Sequence, residues 1–150
     1  MAGGKVGIYT GLFRYIHDET DLAVVLAHEI AHNVAMHANE RASNAHKNGS
    51  LICSLRPTKA AASFQYSCGY KHGASSELLR VQESEADRIG MILMANAGFD
   101  PRRAIKFWER VQEKSNRLKP PELVSTHPAP KSRIANLKKY ISEALPYYQR

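Results

Sequence analysis

Two histidines four residues apart, with a glutamate directly after the first, stand at His28-Glu29-Ile30-Ala31-His32. On an α-helix, positions i and i+4 project from one face, so His28 and His32 can reach a single metal ion. Neutral imidazole is a good ligand for zinc. Glu29 lies about 100° further round such a helix and need not bind the metal. It is placed to flank an open coordination position and to take a proton from water there, as a general base does. This spacing makes His28 and His32 candidate metal ligands and Glu29 the candidate catalytic residue.

A catalytic zinc usually has three protein ligands. Continuation of the motif through a glycine and a third histidine would need those residues where Ala35 and Ala38 stand. An upstream cysteine is also excluded, because Cys53 and Cys68 both follow the motif. A carboxylate on a second helix remains, and Glu83-Ser84-Glu85-Ala86-Asp87 supplies it. Leu79, Glu83, Ala86, Gly90, Leu93 and Ala97 recur at helical spacing. Glu83 thus falls in an otherwise apolar stripe, where an unpaired carboxylate is costly and a metal ion resolves the cost. Ala86 and Gly90 are small enough to let this helix approach the first one closely. Asp87, four residues beyond Glu83, suits a carboxylate that accepts a hydrogen bond from a ligand histidine. Glu85 is expected to face solvent. His17, His37, His46 and His72 have no evident role. On a continuous helix His37, one residue past i+4 from His32, points away from the metal. His127-Pro128 places one more histidine in a loop. There it can approach the zinc, stabilise an oxyanion, or simply lie exposed.

The elements that position these groups read as mainly α with a small β element. Lys5-Val-Gly-Ile-Tyr-Thr10 has the content of a short strand closed by Gly11, expected at the edge of the cleft. The acidic cluster Asp18 to Asp21 precedes a helix from about Leu22 to Arg41, with Leu22, Val25, Leu26 and Ile30 as its apolar spacing. From Asn44 to Ser76 no helical or strand period is sustained, and an irregular insert is expected. A helix follows from Ser75-Ser76 to about Ala97, with Gly98 as its C′ residue. Asp100-Pro101 starts another, carrying Ile105, Phe107, Trp108 and Val111. Beyond Pro120-Pro121 and the loop Ser125 to Pro130, a last helix spaces Ile134, Leu137, Ile141 and Leu145. The whole chain, 1–150, reads as a single domain.

The chain carries a formal net charge of +7, with an apolar fraction of 43%. Its last fifty residues hold twelve Lys/Arg against four Asp/Glu, so the excess is confined there. The plain reading is a solvated helix surface. No nucleic-acid motif accompanies the charge, and no nucleic-acid partner is expected. No run approaches the ~20 apolar residues of a membrane-spanning helix, and the opening residues resemble neither a secretory signal nor a transit peptide. Two cysteines are too few for a disulfide framework and read as free thiols.

Three segments, LAHEIAHNVAMH, QESEADRIGMILMANAGFDP and STHPAPKSRI, resemble the signatures of the zinc peptidases that include HtpX and the CAAX prenyl protease. The resemblance is nearest to the OMA-type of the mitochondrial inner membrane, fungal forms in particular. GGKVGIYTGLF resembles the strand before the active-site helix in that group. The matches cover residues 3–43 and 81–148. The resemblance implies a gluzincin-type zincin with one zinc per chain held by His28, His32 and Glu83. It implies Glu29 as base, Asp87 as support and His127 as the loop histidine near the metal, a candidate catalytic residue for transition-state contact or else one that occludes the site. It further implies a protein or peptide substrate, membrane-associated or misfolded, and a mitochondrial inner-membrane location. Any membrane attachment is not encoded in this chain. The OMA-type carries a hydrophobic stretch after the HExxH helix, whereas Asn44 to Ser76 is polar. A zinc-binding but catalytically inactive relative is the alternative reading.

Overall fold

Capping residues explain where the helices begin and end. Asp18 is extended and accepts a hydrogen bond from the Asp21 amide at 2.9 Å, which opens α1, Glu19–Val34. Glu19 and Asp21 in its first turn complement the positive end of the helix dipole. In the computed structural model, residues 6–8, 10–47, 52–57, 64–69, 76–117 and 132–149 are described. After α1 come α2 (His37–Lys47), a β1 (Ile52–Pro57) and β2 (Phe64–Gly69) pair, α3 (Ser76–Asn96), α4 (Arg103–Arg117) and α5 (Arg133–Ala144). Short 3-10 turns lie at Thr10–Arg14 and Leu145–Tyr147. The fold is mainly α, as the sequence implies. Gly98 ends α3 with φ +82, and the Phe99 amide returns to the Met94 carbonyl at 2.9 Å. The Asp100 side chain accepts from the Arg102 amide as the chain turns into α4.

One hydrophobic cluster joins these elements. Leu12 and Tyr15 from the first turn, Val24 and Val25 from α1, Met91 and Met94 from α3, Phe107, Trp108 and Val111 from α4, and Leu137 from α5 are its centre. α1 packs most extensively on α3, and α5 covers α3 from another side. The α1–α3 crossing is tight at Gly90. A Cβ there would meet the backbone of His28 and Ala27 at 3.1–3.2 Å, so glycine is what allows the approach.

Several elements differ from expectation. The expected strand at the N-terminus is absent among the described residues: 6–8 have no regular structure and Thr10–Arg14 is a 3-10 turn. A strand exists by its ladder, and among the described residues none pairs with 6–8. The expected helix from Leu22 to Arg41 is two helices. It breaks at Ala35-Met36, where Met36 takes the left-handed φ of 54. The buried face of α1 is also rotated from the expected one, leaving Ile30 exposed while His28, Ala31 and His32 are buried. In α3 the buried stripe runs through Glu83, Ala86, Asp87, Gly90, Met91 and Met94 rather than Leu79 and Ala97. Within the stretch expected to be irregular, α2 continues to Lys47 and β1 pairs antiparallel with β2, setting Cys53 opposite Cys68 and Leu55 opposite Tyr66.

Candidate metal centre

The first two donors come from one face of α1 and the third from α3. His28 and His32 are a turn apart and buried, and Glu83 faces them across the close crossing at Gly90. The His28 Nε2 and His32 Nε2 atoms are 3.1 Å apart. Glu83 lies 3.2 Å from His28 Nε2 through Oε2 and 3.3 Å from His32 Nε2 through Oε1. One ligand atom from each residue falls within 4.8 Å of the others. Donors about 2.0–2.1 Å from a tetrahedral ion stand roughly 3.3 Å from one another, so this triangle has the dimensions of a zinc-sized site. Glu29, half-buried, follows His28 on the same helix.

The electrostatics favour a positive charge at this point. Burial pushes the His28 pKa down, but hydrogen bonds with Asp87 and Glu83 outweigh it and raise the value from 6.5 to about 9. A place that holds a proton so firmly is one that welcomes a cation. Asp87 responds in the opposite sense. Burial alone would raise its pKa, yet Arg133 and His28 hold its carboxyl below the ordinary carboxylate range.

Each histidine has a second partner behind it. His28 Nδ1 lies 3.0 Å from Asp87 Oδ1, as the spacing of Asp87 from Glu83 implies. Asp87 Oδ1 in turn accepts from Arg133 Nη2 at 2.5 Å. The Arg133 guanidinium is buried and lies over the Trp108 ring, 3.3 Å from its centroid. His32 Nδ1 lies 2.8 Å from His37 Nδ1, and His37 Nε2 lies 3.2 Å from Glu85 Oε2. His37 therefore turns toward His32, not away from it, and is only 1% exposed. The helix break at Met36 is the reason. Glu85 is half exposed, but it is engaged with His37 and not merely solvated.

Arg133, Trp108 and His37 are the residues that the motif reasoning passed over. Arg133 stands six residues after His127 inside STHPAPKSRI and four before Leu137, so the stripe of α5 could have revealed it as buried. The basic last third is thus only partly a solvated surface. Arg110 meets the fully buried Asp21 at 2.5 Å, and Arg103 pairs with Asp18 and Asp21. These pairs anchor the start of α1 to α4. His127 and the Pro-rich residues around it lie outside the described residues.

The chain is similar to known peptidases. A family model described as peptidase family M48 matches residues 1–141. The mitochondrial metalloendopeptidase OMA1 of Schizosaccharomyces pombe is 35% identical over 96% of the chain and 43% of its own length. The protein of the same name from Saccharomyces cerevisiae is 34% identical over 100% of the chain and 45% of its own length. The beta-barrel assembly-enhancing protease of Escherichia coli O157:H7 is 32% identical over 96% of the chain and 32% of its own length. The chain spans less than half the length of these curated relatives.

Proposed function

Because the chain belongs to peptidase family M48, we propose that it is the catalytic domain of a zinc-dependent metalloendopeptidase, with His28, His32 and Glu83 as ligands and Glu29 as general base. The observation that carries this reading is the convergence of three buried donors from two helices on one zinc-sized point. A metal-dependent peptidase of the zincin fold takes protein or peptide substrates, and the family supplies that much. When bound, zinc supplies Lewis acidity that polarises water and the scissile carbonyl.

The chain's own residues do the rest. Asp87 accepts from His28 Nδ1, which leaves the Nε2 lone pair aimed into the site. Arg133 holds Asp87 from behind. Glu29 takes a proton from the attacking water and returns it to the leaving amine. The STHPAPKSRI resemblance supports His127 at the developing oxyanion. Membrane-associated or misfolded proteins are the proposed substrates, and the mitochondrial inner membrane the proposed location, on the motif resemblance to the OMA-type, and the fungal relatives are mitochondrial by name. A relative is also found in the bacterium Escherichia coli, so the likeness is not confined to mitochondrial proteins. Among the described residues no helix is long and apolar enough to cross a membrane.

The test is zinc content combined with cleavage of an unfolded casein-type substrate. The parent should hold about one zinc per chain and cleave. Glu29→Gln should keep the zinc and lose cleavage, and His127→Ala should lower kcat with zinc retained. Zinc without any cleavage by the parent would make the chain an inactive metal-binding relative. Cleavage surviving in Glu29→Gln would remove Glu29 from its role.

A further inference from the structure

The feature of the molecule that the peptidase reading does not use is a buried histidine behind a histidine. Met36, in the left-handed region, ends the run of α1 and starts α2 in a new direction. That turn brings His37 back beneath His32 with the two Nδ1 atoms 2.8 Å apart. The rings meet edge-on, with centroids 4.9 Å apart. α2 is then tied to α3 at two points, His37 to Glu85 at 3.2 Å and Gln82 to Glu40 at 2.5 Å. Both points flank Glu83 in sequence.

We propose that His37 is a positioning residue for the metal centre, fixing the ring and tautomer of His32 through a chain from His32 Nδ1 to His37 to Glu85. The inference rests on the reading of His32 as a zinc ligand. The proton assignment follows from donor and acceptor counting. A neutral His32 that offers Nε2 to a metal carries its proton on Nδ1. That N–H donates to His37 Nδ1, which must then present a lone pair. The His37 proton therefore sits on Nε2, where it donates to the Glu85 carboxylate. Every proton has one place, and no group in the chain need be charged except Glu85.

A non-metal nitrogen held in this way orients a ligand ring and raises its basicity. The partner is more often a carboxylate or a backbone carbonyl. Here a second imidazole stands between His32 and the half-exposed Glu85 carboxylate and relays that carboxylate inward. His37, at 1% exposure, keeps water from competing for the His32 proton. The left-handed Met36 costs about 1–2 kcal/mol in a residue other than glycine, and the seating of His37 against His32 is what that turn achieves.

The experiment measures zinc affinity of the full chain by competition with a chromophoric chelator, alongside unfolding of the metal-free protein. His37→Leu removes the acceptor at similar volume. His37→Asn keeps an acceptor, its Oδ1, near the position of Nδ1. His37→Leu should bind zinc roughly 10–100-fold more weakly, and His37→Asn should recover most of that loss. Imidazole nitrogen NMR of the zinc-loaded parent should show His37 protonated on Nε2 and His32 on Nδ1, a pattern that mere packing does not require. If His37→Leu fails to fold, the His37→Asn affinity and the parent's tautomers still decide. Parent-like zinc affinity in His37→Leu, or His37 protonated on Nδ1, would overturn the inference while leaving the metal site intact. A parent that takes up no zinc would overturn both it and the reading on which it rests.

Discussion

His28 and His32 stand one turn apart on the same helix, yet they are held from behind by different chemistry. Behind His28 lies a buried ion pair, Asp87 with Arg133, roofed by the Trp108 ring. That assembly draws on α3, α4 and α5. Behind His32 lies a second imidazole from α2, with its carboxylate at the surface. The first support is made of charges that cannot be left alone in the interior. The second is a neutral relay ending in solvent. The contrast teaches that two candidate ligands of one metal can be coupled to the fold to very different degrees. Breaking the His28 side should damage folding and metal binding together. Breaking the His32 side should damage metal binding while leaving the fold largely whole.

The largest expected effect is therefore at Asp87. Asp87→Ala leaves the Arg133 guanidinium buried without its acid, a loss of about 3–5 kcal/mol for a broken interior pair. Urea unfolding of the metal-free chain measures it. A double variant, Asp87→Leu with Arg133→Met, removes both charges and should recover most of that stability. It should not recover zinc affinity, since the Asp87 acceptor for His28 Nδ1 is gone. A loss below about 1 kcal/mol for Asp87→Ala would erase the distinction between the two sides.

A smaller effect is expected at the crossing of α1 and α3. Gly90→Ala gains about 1 kcal/mol of helix propensity but drives a Cβ to 3.1 Å from the His28 amide nitrogen. The neighbours are backbone, so the helices must part, at a cost of about 1–3 kcal/mol. The net change in stability should be a loss of no more than about 2 kcal/mol. Zinc affinity should fall more clearly, because the strain acts at His28 while His32 sits a turn away. Raised stability with unchanged zinc affinity would show that the close approach is not what sets the site.

Much of the site was legible because it follows from helical spacing alone. His28, His32, Glu83 and Asp87 are joined by steps of four residues within two helices, and small residues mark where those helices meet. Gly98 and Asp100 likewise signal through backbone chemistry specific to their type. The support behind His32 was hidden for the opposite reason. The turn at Met36 uses a left-handed conformation that glycine or asparagine would have announced and methionine does not. With the helix assumed continuous, His37 pointed the wrong way. Arg133 was hidden because a basic residue on a helix is by default solvated, and only its tertiary partners Asp87 and Trp108 make its burial tolerable. Val6 to Ile8 has strand composition, but a strand also needs a partner, which composition does not supply. Phe64, Tyr66 and Cys68 alternate with polar neighbours in a period of two, a strand signal outweighed by the irregular sequence around it.

The smallest effect separates two glutamates only two residues apart. Glu83 is buried between both histidines, whereas the Glu85 side chain is 52% exposed and touches the relay at its outer end. Glu83→Gln replaces an anionic ligand with a poor neutral one and should weaken zinc binding severely. Glu85→Ala removes only the last acceptor of the chain. Water can reach His37 Nε2 from that side and accept the same hydrogen bond, at little free-energy difference. The loss should then stay within about 1 kcal/mol, or roughly fivefold in zinc affinity. The same chelator competition reads both variants. Equal losses would mean either that Glu83 is not a ligand or that the relay depends on a fixed charge at its end. The tautomer of His37 distinguishes these: if Glu85→Ala leaves the proton on Nε2, the relay stands and Glu83 is the residue misassigned.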